Sequence, residues 1–366
     1  MRHSWILAML LLVVVWPTSI FAQQAYRGED TLWQDTVWDG EVLIDGILTV
    51  APGVTLEIRP GTVVRFTPMD SNGDGIGEHE MFIQGRLLAL GTQDAPIRFT
   101  STAADPRPGS WGAINMMLAE DEENVLTHCI IEHAYRGFHA HFSRARVSDS
   151  YFRRNMRGFQ FQESEVVIER CLLEDNLNGL QFRNSQVRLV DSTVKGSYWG
   201  VRCVYSELDM QGCRIEGNLI NGVNLRDSTL TASGNLIAAN RRGLYLQRSR
   251  GSVTGNLVRG NSEHGIFLEE SEAEISGNRI VDNGRAGVRW LNAQGRVAGN
   301  HIEGNGLYAI SNEGTTPAPA PGNWWGSADP AVWAVLLRDG RLNPETGLVE
   351  AVDPLEQAPG LDLPDF

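Results

Sequence analysis

Three groups of residues have types and spacings that could do chemistry. In Asp70-Ser71-Asn72-Gly73-Asp74-Gly75-Ile76-Gly77-Glu78, oxygen donors alternate at Asp70, Asn72, Asp74, Ile76 and Glu78 around glycines that permit a tight turn. That is the D-x-N-x-D-G core of a calcium loop. Met81 stands where loop position 12 usually carries a bidentate acid, so the competing reading is an unliganded acidic surface loop. The second group is His139 and His141. On an extended strand they share one outward face about 7 Å apart, a spacing that can take a transition metal, and the competing reading is two exposed surface histidines. The third group is a file of Gln160, Gln181, Arg183, Arg202 and Arg226, planar amides and guanidinium groups of the kind that meet a sugar polymer. With a histidine as base and arginine against a uronate carboxylate, the same face would serve a lyase. A hydrolase needs paired carboxylates across the bond. The outward positions of this wall hold no adjacent carboxylate pair, no Rossmann or P-loop spacing or Ser-His-Asp arrangement is identifiable in the chain, and the ionisable residues of the file are not expected to converge.

A repeat must position these groups. Gly137, Gly158, Gly179, Gly200, Gly222, Gly243, Gly265 and Gly287 each open an apolar triplet at intervals of 21 or 22 residues, and Ala309 takes the next place. Three more columns keep this register: Ile131 through Ile302, always apolar; Cys129, Ser150, Cys171, Ser192, Cys213 and then Asn235 through Asn300; and Asn155 through Asn305, with Ser197 among them. Each turn holds three short runs with the period of a strand, separated by turn residues. There is no room for a crossover helix, so successive turns stack as parallel strands about one axis.

This predicts an all-β parallel β-helix solenoid with three short strands per turn. Each coil advances about 4.8 Å, so residues 21 or 22 apart sit over one another. The asparagine columns are expected at bends, with Asn itself in a left-handed or bridge conformation and its amide bonded to the next turn. Cys129, Cys171 and Cys213 are two turns apart, about 10 Å, too far to bridge. Four buried thiols are therefore expected, with Cys203 and Cys213 the one pair left to consider. Glu132, Arg153, Glu174, Lys195 and Glu216 alternate in sign along an outward column and read as exposed ion pairs.

The rest of the chain frames the repeat. Residues 1–22 have a basic start, an apolar run from Ile6 to Trp16 and a small residue at Ala22, a secretory signal peptide. Residues 23–124 read as an N-terminal cap and irregular first coils, with Trp33 and Trp38 plugging the first turn and the acidic loop at 70–80. Regular coils follow at 125–312, then a C-terminal cap, short helix and tail at 313–366. No later segment is apolar enough to span a membrane. A net charge of −14 with no basic run excludes a nucleic-acid partner.

The opening ILTVAPGVTLEIRPGTVVRF, the FIQGRLLALGTQDAPIRFTS segment, SWGAI and the closing PGNWWGSADP together resemble exported right-handed parallel β-helix proteins. The Gly-apolar turns with Asn at the bends resemble the NosD-like (periplasmic copper-processing) and carbohydrate-binding or sugar-hydrolase repeats. The resemblance implies a right-handed coil capped at both ends. For function it leaves three readings: an exported non-catalytic module or scaffold binding carbohydrate or another envelope component, which the scattered ionisable residues favour; a polysaccharide lyase or epimerase; or a periplasmic metal-handling accessory protein. The expected partner is a polysaccharide or an envelope protein, and the one expected cofactor is a structural calcium. The location is periplasmic or extracellular.

Overall fold

The computed structural model describes residues 24–361 and 363, so the expected signal peptide at 1–22 lies outside the described residues. One regular coil consists of Arg157–Gln162, Glu165–Glu169 and Leu172–Glu174. Each strand pairs in parallel with its counterpart one coil on: Arg157 with Asn178, Glu165 with Gln186, Leu172 with Thr193. Alternation turns Phe159, Phe161, Val166, Ile168 and Leu173 inward, where they are buried. The result is a right-handed parallel β-helix. Among the described residues the α-helix is a single turn, Pro330–Trp333, capped by the Asp329 side chain.

The inward columns stack in the predicted register. Phe161, Phe182, Cys203, Leu225, Leu246, Leu268 and Trp290 pair successively, and every residue of the Ile131 to Ile302 column is buried. Each such side chain contributes about 1.5–3 kcal/mol by leaving water, and it does so only against the coils above and below. The glycine column has a steric cause. A Cβ on Gly243 would lie 2.4 Å from the Gly265 carbonyl oxygen and 3.0 Å from the Asn261 amide nitrogen, so no larger residue fits between coils.

The corners differ from expectation. The asparagines are not the left-handed residues. The residue before each ladder position takes positive φ, as at Asp175, Ala239 and Asp282, ahead of Asn176, Asn240 and Asn283. The asparagine is thereby freed to bond along the axis: Asn240 N and Nδ2 both donate to Asn261 Oδ1, at 3.0 and 3.1 Å, while Nδ2 also reaches the Ile215 carbonyl. A third ladder, of serines, runs at the remaining corner, with each N–H donating to the next hydroxyl from Ser143 through Ser271. The thiols of Cys129, Cys171 and Cys213 point to carbonyls in the first ladder. All four cysteines are free and buried, and burial pushes Cys171, Cys203 and Cys213 up to about 12.

Two further expectations need correction. Trp38 is fully buried and donates to the Tyr26 hydroxyl, whereas Trp33 is 75% exposed and plugs nothing. Glu132 is no exposed ion-pair partner. It is buried and bound by Arg98, Thr100 and Arg153; burial pushes its carboxyl up, and these donors more than offset that.

The early coils are larger, because Ile47 pairs with Glu80 and Phe82 with Asn115. The acidic loop is the insertion before Glu80. At the other end Asn323 completes the first ladder by accepting from Asn300, and Trp325 and Trp333 stack in the cap.

Candidate functional site

The strands Ala134–Ser148, Arg157–Gln162, Asn178–Arg183, Trp199–Val204 and Asn221–Arg226 lie side by side on one wall. Their outward residues form vertical files. His139 sits over Asn115 and under Gln160, Gln181, Arg202 and Asn224. His141 sits over Met117 and under Gln162 and Arg183, after which Val204 interrupts before Arg226. The predicted binding residues are thus brought onto one face.

The histidines are not open surface residues. Their rings lie 6.4 Å apart and nearly parallel, and His139 is only 8% exposed. Its Nδ1 is 2.9 Å from Asn115 Oδ1, and Asn115 Nδ2 donates to Glu80 Oε2 at 2.8 Å. Burial, then Arg136, His141 and Arg157, depress His139 to about 3, so it is neutral at physiological pH. Glu80 is raised by burial, partly offset by Asn115 and Arg136.

At this end the ionisable residues converge, contrary to expectation. Arg136 and Arg157 stand one coil apart with their guanidinium carbons 4.7 and 5.0 Å from the Tyr135 ring centre. Arg157 Nη1 donates to the Tyr135 hydroxyl at 2.9 Å and to Gln160 Oε1 at 2.7 Å. Burial raises the Tyr135 phenol, and the two guanidiniums more than offset it, holding it below its ordinary value. Arg136 Nε is buried and unpartnered among the described residues.

Arg136, Arg157 and Tyr135 were missed in the sequence, although the register could have found the arginines. The position before the column glycines reads Arg136, Arg157, Asn178, Trp199, Asn221, Arg242 and His264 before Ala286 ends the run, a polar and aromatic file beside the other two. Glu80 and Asn115 come from the irregular coils, where no register leads to them. Higher on the wall the face closes. Tyr245 and Phe267 stack at 4.6 Å, Arg289 covers Phe267 at 4.3 Å, and Glu313 pairs with both Arg289 and Arg338.

The acidic loop is exposed and folded by its own side chains. Asp70 accepts from Gly73, Asp74 and Gly75 N–H groups, Asn72 from Asp74 N, Asp74 from Ile76 N, and Glu78 from Ser71. Among the described residues no group of three His, Cys, Asp or Glu side chains converges as a metal site.

Fold and face together define a right-handed parallel β-helix whose outer wall carries a polar file able to meet a long ligand. Residues 204–318 match the family model described as periplasmic copper-binding protein (NosD), and residues 110–237 match that of the right handed beta helix region. No curated protein matches. Among solved structures, tailspike protein 3 of Bacteriophage CBA120 is 14% identical with a TM-score of 0.57, over 75% of this chain and 47% of that one. A variant of the periplasmic alginate epimerase AlgG is 15% identical with a TM-score of 0.49, over 87% and 76%. PfbA, a surface adhesin of Streptococcus pneumoniae, is 12% identical with a TM-score of 0.44, over 77% and 84%. The tailspike likeness shows the fold.

Copper, which the NosD description names, calls for converging thiolate, thioether or imidazole donors. The matched stretch does not provide them. Cys213 and Met210 are buried in the core, His301 is tied to Glu303 at 2.7 Å, and His264 is buried and depressed to about 4 by burial and by Arg289 and Arg285.

Proposed function

We propose that this is an exported β-helix protein that holds an acidic polysaccharide along the His139 to Arg226 wall and acts on it at the His139 end, as a lyase or epimerase. The observation that carries the reading is the convergence of a neutral imidazole, a phenol and two guanidiniums, one with a buried unpartnered donor. A uronate carboxylate at Arg136 and Arg157 acidifies the adjoining C5–H by stabilising the charge that develops on the carboxyl oxygens. The bound anion also offsets the positive field that depresses His139, so the imidazole gains basicity when substrate is present. His139 takes the C5 proton, and the lowered Tyr135 phenol is the nearby donor. Its proton either returns to C5 from the other face, giving the epimer, or goes to the departing O4, giving the unsaturated product.

Export is supported by the apolar run Ile6 to Trp16 and by the periplasmic description of the matched family. A structural calcium at Asp70, Asn72, Asp74, the Ile76 carbonyl and Glu78 belongs to the same proposal and is supported by the oxygen spacing.

The test is turnover of uronate polymers, read as ultraviolet absorbance of unsaturated product and as proton NMR of epimer content. Removing His139 or Arg157 should lower turnover by roughly 100-fold or more, with binding changed far less. If no uronate polymer is turned over, and alanine changes at Arg157, Arg183, Arg202 and Arg226 weaken binding by small similar amounts, the non-catalytic module is correct.

A further inference from the structure

We infer that Glu80 and Asn115 are positioning residues that fix the tautomer of His139, leaving Nε2 as the bare nitrogen that faces the ligand. This rests on the reading that His139 is the base. The three side chains come from three successive coils, on strands Glu80–Ile83, Trp111–Thr127 and Ala134–Ser148, and form one hydrogen-bonded line. Glu80 Oε2 is 2.8 Å from Asn115 Nδ2, and Asn115 Oδ1 is 2.9 Å from His139 Nδ1.

The proton assignments follow in order. A carboxylate accepts and cannot donate, so the Asn115 amide must turn its NH₂ toward Glu80. Its oxygen then faces His139, and that oxygen also only accepts, so Nδ1 must carry the imidazole proton. A neutral imidazole has one N–H, and Nε2 is therefore unprotonated. Asn115 is 2% exposed, so water cannot replace either bond if the amide turns over. Burial raises the Glu80 carboxyl above its ordinary value, and Asn115 and then Arg136 partly offset that; the line has this direction while Glu80 is ionised and accepting. Nε2 makes no hydrogen bond among the described residues and is not sealed from solvent, so the bare nitrogen is the accessible one. Glu80 thus acts two side chains away from the substrate, through orientation rather than by receiving a proton.

The test is nitrogen-15 NMR of histidine-labelled full-length protein, with the His139 signals assigned by their loss in His139→Gln. Wild type should show a protonated-type Nδ1 and a bare-type Nε2 at neutral pH; the opposite pattern overturns the proposal without any variant. In Glu80→Gln the neutral amide at 80 can donate or accept. The orientation of Asn115 is then no longer dictated, the two nitrogen signals should move toward each other, and kcat should fall roughly tenfold as the working tautomer is depleted. The double variant Glu80→Gln/Asn115→Asp places an acceptor beside Nδ1 in either orientation, and should restore both the wild-type pattern and most of kcat. An unchanged His139 pattern in Glu80→Gln overturns the proposal even if uronate polymers are turned over. A changed pattern rescued by the double variant supports it even if wild type turns over no polymer, in which case the catalytic reading alone fails.

Discussion

Replacing Asn261 by alanine tests the ladder that joins the coils. Asn261 is fully buried. Its Oδ1 accepts from Asn240 N at 3.0 Å and Nδ2 at 3.1 Å, and its own Nδ2 donates to the Ile237 carbonyl at 3.1 Å and to Asn283 Oδ1 at 2.9 Å. Alanine leaves one buried donor unpaired, the Asn240 N–H, because the Ile237 carbonyl stays in the parallel pairing of Leu236–Ala238 with Leu257–Arg259. Asn240 Nδ2 keeps Ile215, and Asn283 Oδ1 keeps the Asn261 N–H. At about 1–3 kcal/mol for an unsatisfied buried group, the loss is about 1–3 kcal/mol. Serine should cost clearly less, because a hydroxyl accepts from the N–H one coil below, as Ser185 does from Ser164 at 3.1 Å. Coils of a solenoid open locally, so the sensitive assay is amide exchange at Asn240, where 2 kcal/mol is roughly a 30-fold faster rate, with urea unfolding as the global measure. An alanine variant within 0.5 kcal/mol of wild type, or no worse than serine, would refute the reasoning.

Three other outcomes are expected. His139 and His264, depressed to about 3 and about 4, bind protons more readily when unfolded. Their stabilisation is complete above the ordinary histidine value near 6.5 and is lost as pH falls toward those lower values. The melting temperature should therefore drop on acidification below about pH 6.5, and should drop less in His264→Gln. Calcium should raise the melting temperature of wild type and leave D70A/D74A unmoved; identical behaviour of the two proteins removes calcium from the account. Gly243→Ala should lower stability by about 1–3 kcal/mol through overpacking against the next coil, measured by urea unfolding, and a neutral result would show that the coils can separate to admit a methyl group.

The regular coils were legible because every coil meets the same neighbours. A column such as Ile131 to Ile302 has one environment repeated, so its residue types repeat with it. The asparagine ladders were visible for the same reason, but their backbone role was misassigned. The left-handed position is glycine at Gly212, Gly234, Gly255, Gly277 and Gly299 but Asp, Arg, His or another residue elsewhere, so its trace in the sequence is broken and easily given to the asparagine beside it. The site was half legible. His139, Gln160 and Arg202 stand in register, whereas Glu80 and Asn115 belong to coils of unequal length whose pairing only the folded chain sets. Burial of His139 was invisible too, since it comes from Asn115 and the neighbouring arginines rather than from its own strand.

The asparagine and serine ladders have a direction. Most rungs give their backbone N–H to a side-chain oxygen one coil later in the chain, as Asn155 does to Asn176 and Ser249 to Ser271, while the asparagine Nδ2 groups also reach back to a carbonyl of the coil before. The two ends of the coil stack are therefore chemically unequal. A face uncovered by removing later coils presents unmet backbone N–H donors at these corners, whereas a face uncovered by removing earlier coils presents side-chain oxygens whose donors are gone and Nδ2 groups that have lost a carbonyl but keep the oxygen above. During synthesis, when earlier residues emerge first, each finished coil is a template with its donors pointing at the segment about to arrive. The corner N–H groups thus point toward the C-terminal end, where Ser271, Asn305 and Asn323 offer the last oxygens of the three ladders.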